Sequence, residues 1–156
     1  MKVAIFAGSK SDLPLVEEAK KILGDFGVEY TVFISSAHRS PQKTVLLSQN
    51  LEKDFSVVIA IAGLSAQLPG IIASYTTLPV IGVPAECGPL QGLDALFSIV
   101  QMPSGIPVGT MSIGKSGAKN AALFAIQILA LGDKKLREKI NDYRDNLKRE
   151  YGDNPY

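Results

Sequence analysis

The chain carries a single histidine, His38, and the residue after it is Arg39. Imidazole titrates near neutrality, so it can take a proton and return it within one turnover. A guanidinium is a rigid fork that fits phosphate. Side by side in Ile34-Ser-Ser-Ala-His-Arg-Ser-Pro41, the two suit proton transfer on a phosphorylated ligand. Each has a plainer alternative, a structural loop histidine and a surface arginine. Their position directly after the apolar run Tyr30-Thr-Val-Phe-Ile34 favours the chemical reading.

Two further segments carry suitable groups. Ser9, Ser11 and Asp12 follow the apolar run Lys2-Val-Ala-Ile-Phe-Ala7 and Gly8. Their hydroxyls, with the free N–H groups of a helix start, can hold a phosphate. Ser11 or Asp12 can equally be a helix cap, and Asp12 can cap with one oxygen while binding a sugar hydroxyl with the other. Gln67 lies in Gly63-Leu-Ser-Ala-Gln-Leu-Pro-Gly70, where its amide can bond a ligand carboxyl or amide, or the backbone of a helix start. Asp94 most simply starts the helix after Gly92.

Several chemistries are excluded. Neither a Walker-type loop nor G-x-G-x-x-G is present, so ATP and NAD are not implied. One histidine and one cysteine leave no histidine-based metal site, and no nucleophile elbow appears. No cofactor is expected. Cys87 reads as a small buried hydrophobe, and a lone cysteine allows no intrachain disulfide, which fits a reducing cytoplasm. Basic and acidic residues nearly balance, 16 against 15, with no basic stripe, so nucleic acid is not an expected partner. Met1-Lys2 leads straight into a strand-like run, which predicts no signal peptide.

The elements that position these groups repeat one cycle. Strands are expected at Lys2–Ala7, Tyr30–Ile34, Val57–Ala62, Val80–Val83 and Val108–Ile113. Apolar residues at Leu15, Val16, Ala19, Ile22, Leu23 and Phe26 mark one helical face, ended by Gly24 and Gly27. Further helices are expected at about 41–53, as a short turn after Gly70, at 93–100 and at 118–131. Gly114-Lys-Ser-Gly117 is read as a loop. A charged helix, about 134–151, carries the stripe Leu136, Ile140, Tyr143 and Leu147, which packs on its own chain or on a neighbouring subunit. No charge occurs from Phe55 to Ala85, a length that could span a bilayer. Gly63, Pro69, Gly70, Pro79 and Pro84 punctuate it, so it reads instead as the interior of a parallel sheet, with no membrane partner. Five strand–helix alternations in 156 residues predict one domain, 1–156. Its class is α/β: a three-layer doubly wound parallel sheet with an extra C-terminal helix. In such sheets ligands bind beyond the carboxyl ends of the strands. The polar segments Ser9–Asp12, Ser35–Ser40, Gly63–Gln67 and Gly114–Gly117 all follow strands and are expected to converge there.

Six motifs in order resemble the bacterial N5-carboxyaminoimidazole ribonucleotide mutase family (PurE) of purine biosynthesis. They are Gly8-Ser-Lys-Ser-Asp-Leu-Pro14, Ser36-Ala-His-Arg-Ser-Pro41, Leu68-Pro-Gly70, Leu78-Pro-Val-Ile-Gly-Val-Pro84, Ser98-Ile-Val-Gln-Met-Pro103 and Gly105-Ile-Pro-Val-Gly109. The resemblance covers nearly the whole chain. It implies a flavodoxin-like fold, a homo-octamer, no metal or organic cofactor, and an aminoimidazole ribonucleotide substrate. It implies His38 as the proton carrier, with Ser9, Asp12 and Arg39 binding substrate. Ser11, Ser36, Gly63, Ser65 and Gln67 fall in the surrounding pocket. One departure stands out. The mutases usually read Gly-Gly-Ala-Ala-His-Leu-Pro-Gly where this chain has Gln67 in place of the histidine. A related class carboxylates aminoimidazole ribonucleotide with free carbon dioxide and has a loop like Gly-Arg-Ser-Asn-Ala-Leu. Ser65 matches that class, whereas Arg39 and Ser98–Pro103 match the mutases. Nickel-pincer cofactor carboxylases share an early Ser-Asp-Leu-Pro-like motif but lack Ser-Ala-His-Arg and Gln-Met-Pro. A non-enzymatic nucleotide-binding module would give no reason for a proton carrier at His38.

Overall fold

A computed structural model describes residues 1–152, so the last four residues of the expected domain lie outside it. Five strands, β1 (Lys2–Ala7), β2 (Glu29–Ile34), β3 (Val57–Ala62), β4 (Val80–Pro84) and β5 (Gly109–Thr110), form one sheet. Its order is β2-β1-β3-β4-β5 and every pairing is parallel, the flavodoxin-like arrangement. Helices α1 (Leu13–Phe26), α5 (Gly114–Leu129) and α6 (Lys134–Gly152) lie towards one face. Helices α2 (Pro41–Ser48), α3 (Leu68–Ala73) and α4 (Leu93–Val100) cover the other.

Side chains alternate across the pleat, so each inner strand feeds two cores. Val3, Ile5 and Ala7 of β1 join Ile59 and Ile61 of β3 beneath α1 and α5. Ala4 and Phe6 join Val58 and Ala60 on the opposite face, against Leu68, Ile72 and Ile99. All six residues of β3 are buried, which explains the uncharged stretch: Phe55–Ala85 is β3, α3 and β4. Among the described residues no helix is long and apolar enough to cross a membrane.

Some boundaries differ from expectation for local reasons. Helix α2 ends at Ser48 rather than near Lys53, because the Asn50 amide donates to Leu46 O at 2.8 Å and a separate 3-10 turn, Leu51–Lys53, follows. Gly24 sits inside α1; only Gly27, at φ 72, ends it. Strand β5 is two residues rather than six. Pro107 lacks a donor on its approach, and beyond Thr110 one further bond, Met111 N to Gly82 O, precedes the turn into α5.

Helix α5 begins at Gly114, not Ala118, so Gly114–Gly117 is its first turn and not a ligand loop. Gly117 serves close packing: a Cβ there would overlap the Ser112 carbonyl oxygen. That obstacle is backbone and cannot swing aside. Gly117→Ala is therefore expected to destabilise the fold by about 1–3 kcal/mol or more, read as a lower urea midpoint with an unchanged slope.

Three of the four stripe residues of α6 pack within their own chain. Leu136 is buried, Ile140 and Tyr143 pack on the α1–α5 core, and Tyr143 meets Phe26 edge to face at 5.6 Å. Lys139 Nζ donates to Phe26 O at 2.8 Å, placing a cation at the negative end of α1.

Candidate functional site

The loops after β1, β2 and β3 enclose a cleft of about 430 Å³, a size that suits a small ligand. It opens beyond the carboxyl ends of the strands, near the point where the strand order reverses. His38, Arg39, Ser36, Ser9, Ser11, Asp12, Gly63 and Gln67 all line it. Gly114–Gly117, expected to converge with them, does not, because it is helix.

The β1 loop folds as a 3-10 turn, Lys10–Asp12, capped by Ser9, whose Oγ accepts from Ser11 N at 3.4 Å. Asp12 occupies the cap position of α1 but makes no capping bond with its side chain, contrary to expectation. Its carboxylate lies beside Gly8 and accepts from Ser11 Oγ at 3.4 Å. Asp12 is buried, and desolvation raises its pKa above the usual 3.8; the bonds from Ser9 and Ser11 and the charge of Arg39 only partly oppose this. The unfolded chain ionises Asp12 near 3.8, so the native state loses ground as pH rises past that value and through the raised native pKa. Asp12→Asn is therefore expected to raise the melting temperature at pH 7, by about 2–4 °C per kcal/mol recovered. The advantage should shrink as pH falls toward 3.8, which thermal melts at several pH values would read.

The β2 loop is a tight turn held from beneath. Ser35 Oγ and Thr44 Oγ1 lie 2.8 Å apart in a buried pair, and Ser40 N donates to Ser36 O. These bonds leave His38 and Arg39 exposed at the tip, facing the cleft. Arg39 reaches across it: Nε donates to Ser36 Oγ at 3.3 Å and Nη2 to Gly8 O at 3.4 Å. Both are long bonds, and the remaining guanidinium N–H groups have no partner within the described residues.

The β3 loop supplies Gly63 and Gln67. Gln67 stands at the start of α3 and makes no capping bond with its side chain, so its amide is open to a ligand. Ser65, expected with them, does not line the cleft; its backbone takes φ 49 and its N–H donates to Asp94 Oδ2 at 2.7 Å. Asp94 does lie in the first turn of α4, as expected.

Sequence reasoning missed part of the wall. Cys87 is half-buried there rather than in the core, with its sulfur where a Cβ on Gly63 would be. Close approach thus requires glycine at position 63. Leu64, within the expected Gly63–Gln67 segment, lines the cleft while remaining exposed.

Known proteins are similar to this chain along most of their length. The mutase from Escherichia coli K12, named N5-carboxyaminoimidazole ribonucleotide mutase, is 48% identical over 155 residues, covering 99% of this chain and 92% of that protein. The Pyrococcus horikoshii protein of the same name is 51% identical over 148 residues, covering 94% and 82%. The crystal structure of Treponema denticola PurE superposes with a TM-score of 0.86 at 29% identity, over 96% of this chain and 93% of that one. The family described as AIR carboxylase matches residues 2–150, from the first strand of the cleft into the last helix, and this chain belongs to it.

Proposed function

We propose that the protein converts N5-carboxyaminoimidazole ribonucleotide to 4-carboxyaminoimidazole ribonucleotide, a step of purine biosynthesis. The observation that carries the reading is the cleft itself: the chain's one imidazole shares it with an arginine, a buried carboxylate and an uncommitted glutamine amide. The full-length similarity to named mutases supports it.

The chemistry balances without a cofactor. The carbamate N–C bond breaks, carbon dioxide leaves, and the exocyclic nitrogen takes a proton. Ring carbon C4, made nucleophilic by that amine, bonds the carbon dioxide. C4 then gives up its proton, and the aromatic ring is restored. Net, one carboxyl group and one proton exchange places. His38 takes the C4 proton. Arg39, with Ser9 and the first turns after β1, binds the phosphate. Asp12 binds a ribose hydroxyl. Gln67 hydrogen-bonds the migrating carboxylate without changing charge. Walls from three loops limit the escape of carbon dioxide.

We infer further that the protein works as a homo-octamer in the cytoplasm. Leu93, Phe97 and Val100 form an exposed apolar stripe on α4, which supports burial against other copies. The lone cysteine supports a reducing compartment.

A paired assay tests the function. One sample receives fresh N5-carboxyaminoimidazole ribonucleotide; the other receives aminoimidazole ribonucleotide with physiological bicarbonate. Efficient formation of 4-carboxyaminoimidazole ribonucleotide only in the first supports the mutase. Efficient formation in the second replaces it with direct carboxylation.

A further inference from the structure

We propose that Asp94, outside the cleft, is a positioning residue for Gln67 and that it acts through the Ser65 amide. The inference rests on the mutase reading above. Three successive residues of the β3 loop lean on the stretch that runs from the end of β4 into the first turn of α4. Gly63 packs against Cys87, and a Cβ on Gly88 would lie 2.7 Å from Leu64 Cδ2. The third contact is the hydrogen bond from Ser65 N to Asp94 Oδ2, at 2.7 Å across 29 positions of chain.

The backbone there needs holding. Ser65 is exposed and sits at φ 49, a left-handed conformation that a non-glycine residue keeps only when its surroundings impose it. Asp94 imposes it with a short bond to a charged acceptor. The carboxylate is itself retained at a cost: Oδ1 is buried with no hydrogen-bond partner among the described residues. A neutral residue would suffice for packing. A fixed anion aimed at one loop amide, two residues before Gln67, suits a group that must be aimed accurately. The phosphate and ribose contacts come from other loops, so the tether should govern turnover rather than nucleotide affinity.

The experiment combines kinetics with amide exchange. Asp94→Ala should lower kcat about tenfold or more, since small misplacements near reacting groups are costly, while KM stays within about threefold. Asp94→Asn keeps an oxygen acceptor and should recover most of the rate. The double variant Asp94→Ala, Gln67→Ala should be no slower than Gln67→Ala alone, because the tether acts through that side chain. The Ser65 amide should be protected from exchange in the native protein, exchange freely in Asp94→Ala and be intermediate in Asp94→Asn. Wild-type kcat in Asp94→Ala, multiplying losses in the double variant, or a KM that rises as kcat falls would overturn the proposal. If Asp94→Ala does not fold, Asp94→Ser decides, since its hydroxyl suits a helix start but is too short to hold the amide: Ser65 exchange identical to wild type sinks the tether. If the unaltered protein turns over neither substrate, the mutase reading fails, and Ser65 exchange still judges the tether.

Discussion

Replacing His38 with asparagine should lower turnover by about 10²–10⁴-fold while nucleotide binding changes by no more than about threefold. The expectation comes from the chemistry and from what surrounds the ring. Restoring aromaticity requires a base that can take the C4 proton and release it before the next cycle. The chain has no other imidazole, and Gln67, in the neighbouring loop, cannot carry a proton. Asparagine keeps a polar, planar side chain of similar reach, so the turn closed by Ser36 and Ser40 should survive. Calorimetric titration with product and steady-state rates separate the two effects. Full activity in the variant would remove His38 from the mechanism. Loss of binding in proportion to rate would make it a recognition group instead.

Arg39→Ala should raise KM for the phosphorylated substrate by about 10–150-fold, the range expected when a charged hydrogen bond worth about 1.5–3 kcal/mol is lost. Binding of the dephosphorylated nucleoside should change far less. The contrast matters because Arg39 also touches Ser36 and Gly8, so its removal could loosen the loop. A loosened loop would weaken nucleotide and nucleoside alike, and equal losses would assign Arg39 to holding the cleft rather than gripping phosphate. Arg39→Lys sharpens the test. It keeps the charge but loses the fork, so it should recover only part of the affinity.

Much of this architecture is legible from residue order because burial writes a periodic signal. Strand β3 and helix α4 fall where the apolar runs place them, since β3 is covered on both faces and α4 is bounded by Gly92 and Gln101. The three loops of the cleft are legible for the same reason: polar segments, two of them bearing glycine, follow apolar runs. Glycine itself is ambiguous. In Gly63 it marks a site wall, whereas in Gly117 it marks two backbones in contact, and the sequence writes both alike. The Ser65–Asp94 bond was beyond reach because it joins positions with no local relation. The half-buried place of Cys87 was missed because its partner is Gly63, a residue with no side chain to announce the approach. Ser11 or Asp12 is expected as the cap from its place before α1, yet the side chain that caps is Ser9, on the 3-10 turn leading into the helix.

The solitary imidazole also makes the protein its own spectroscopic probe. Ring C–H protons of histidine resonate apart from the aliphatic envelope, and here they come from His38 alone. Assignment needs no mutagenesis, and symmetry keeps one set of lines however many identical copies assemble. Substrate, product or a trapped carbon dioxide molecule would each shift those lines from within the cleft, so occupancy can be followed in the unmodified protein without a label.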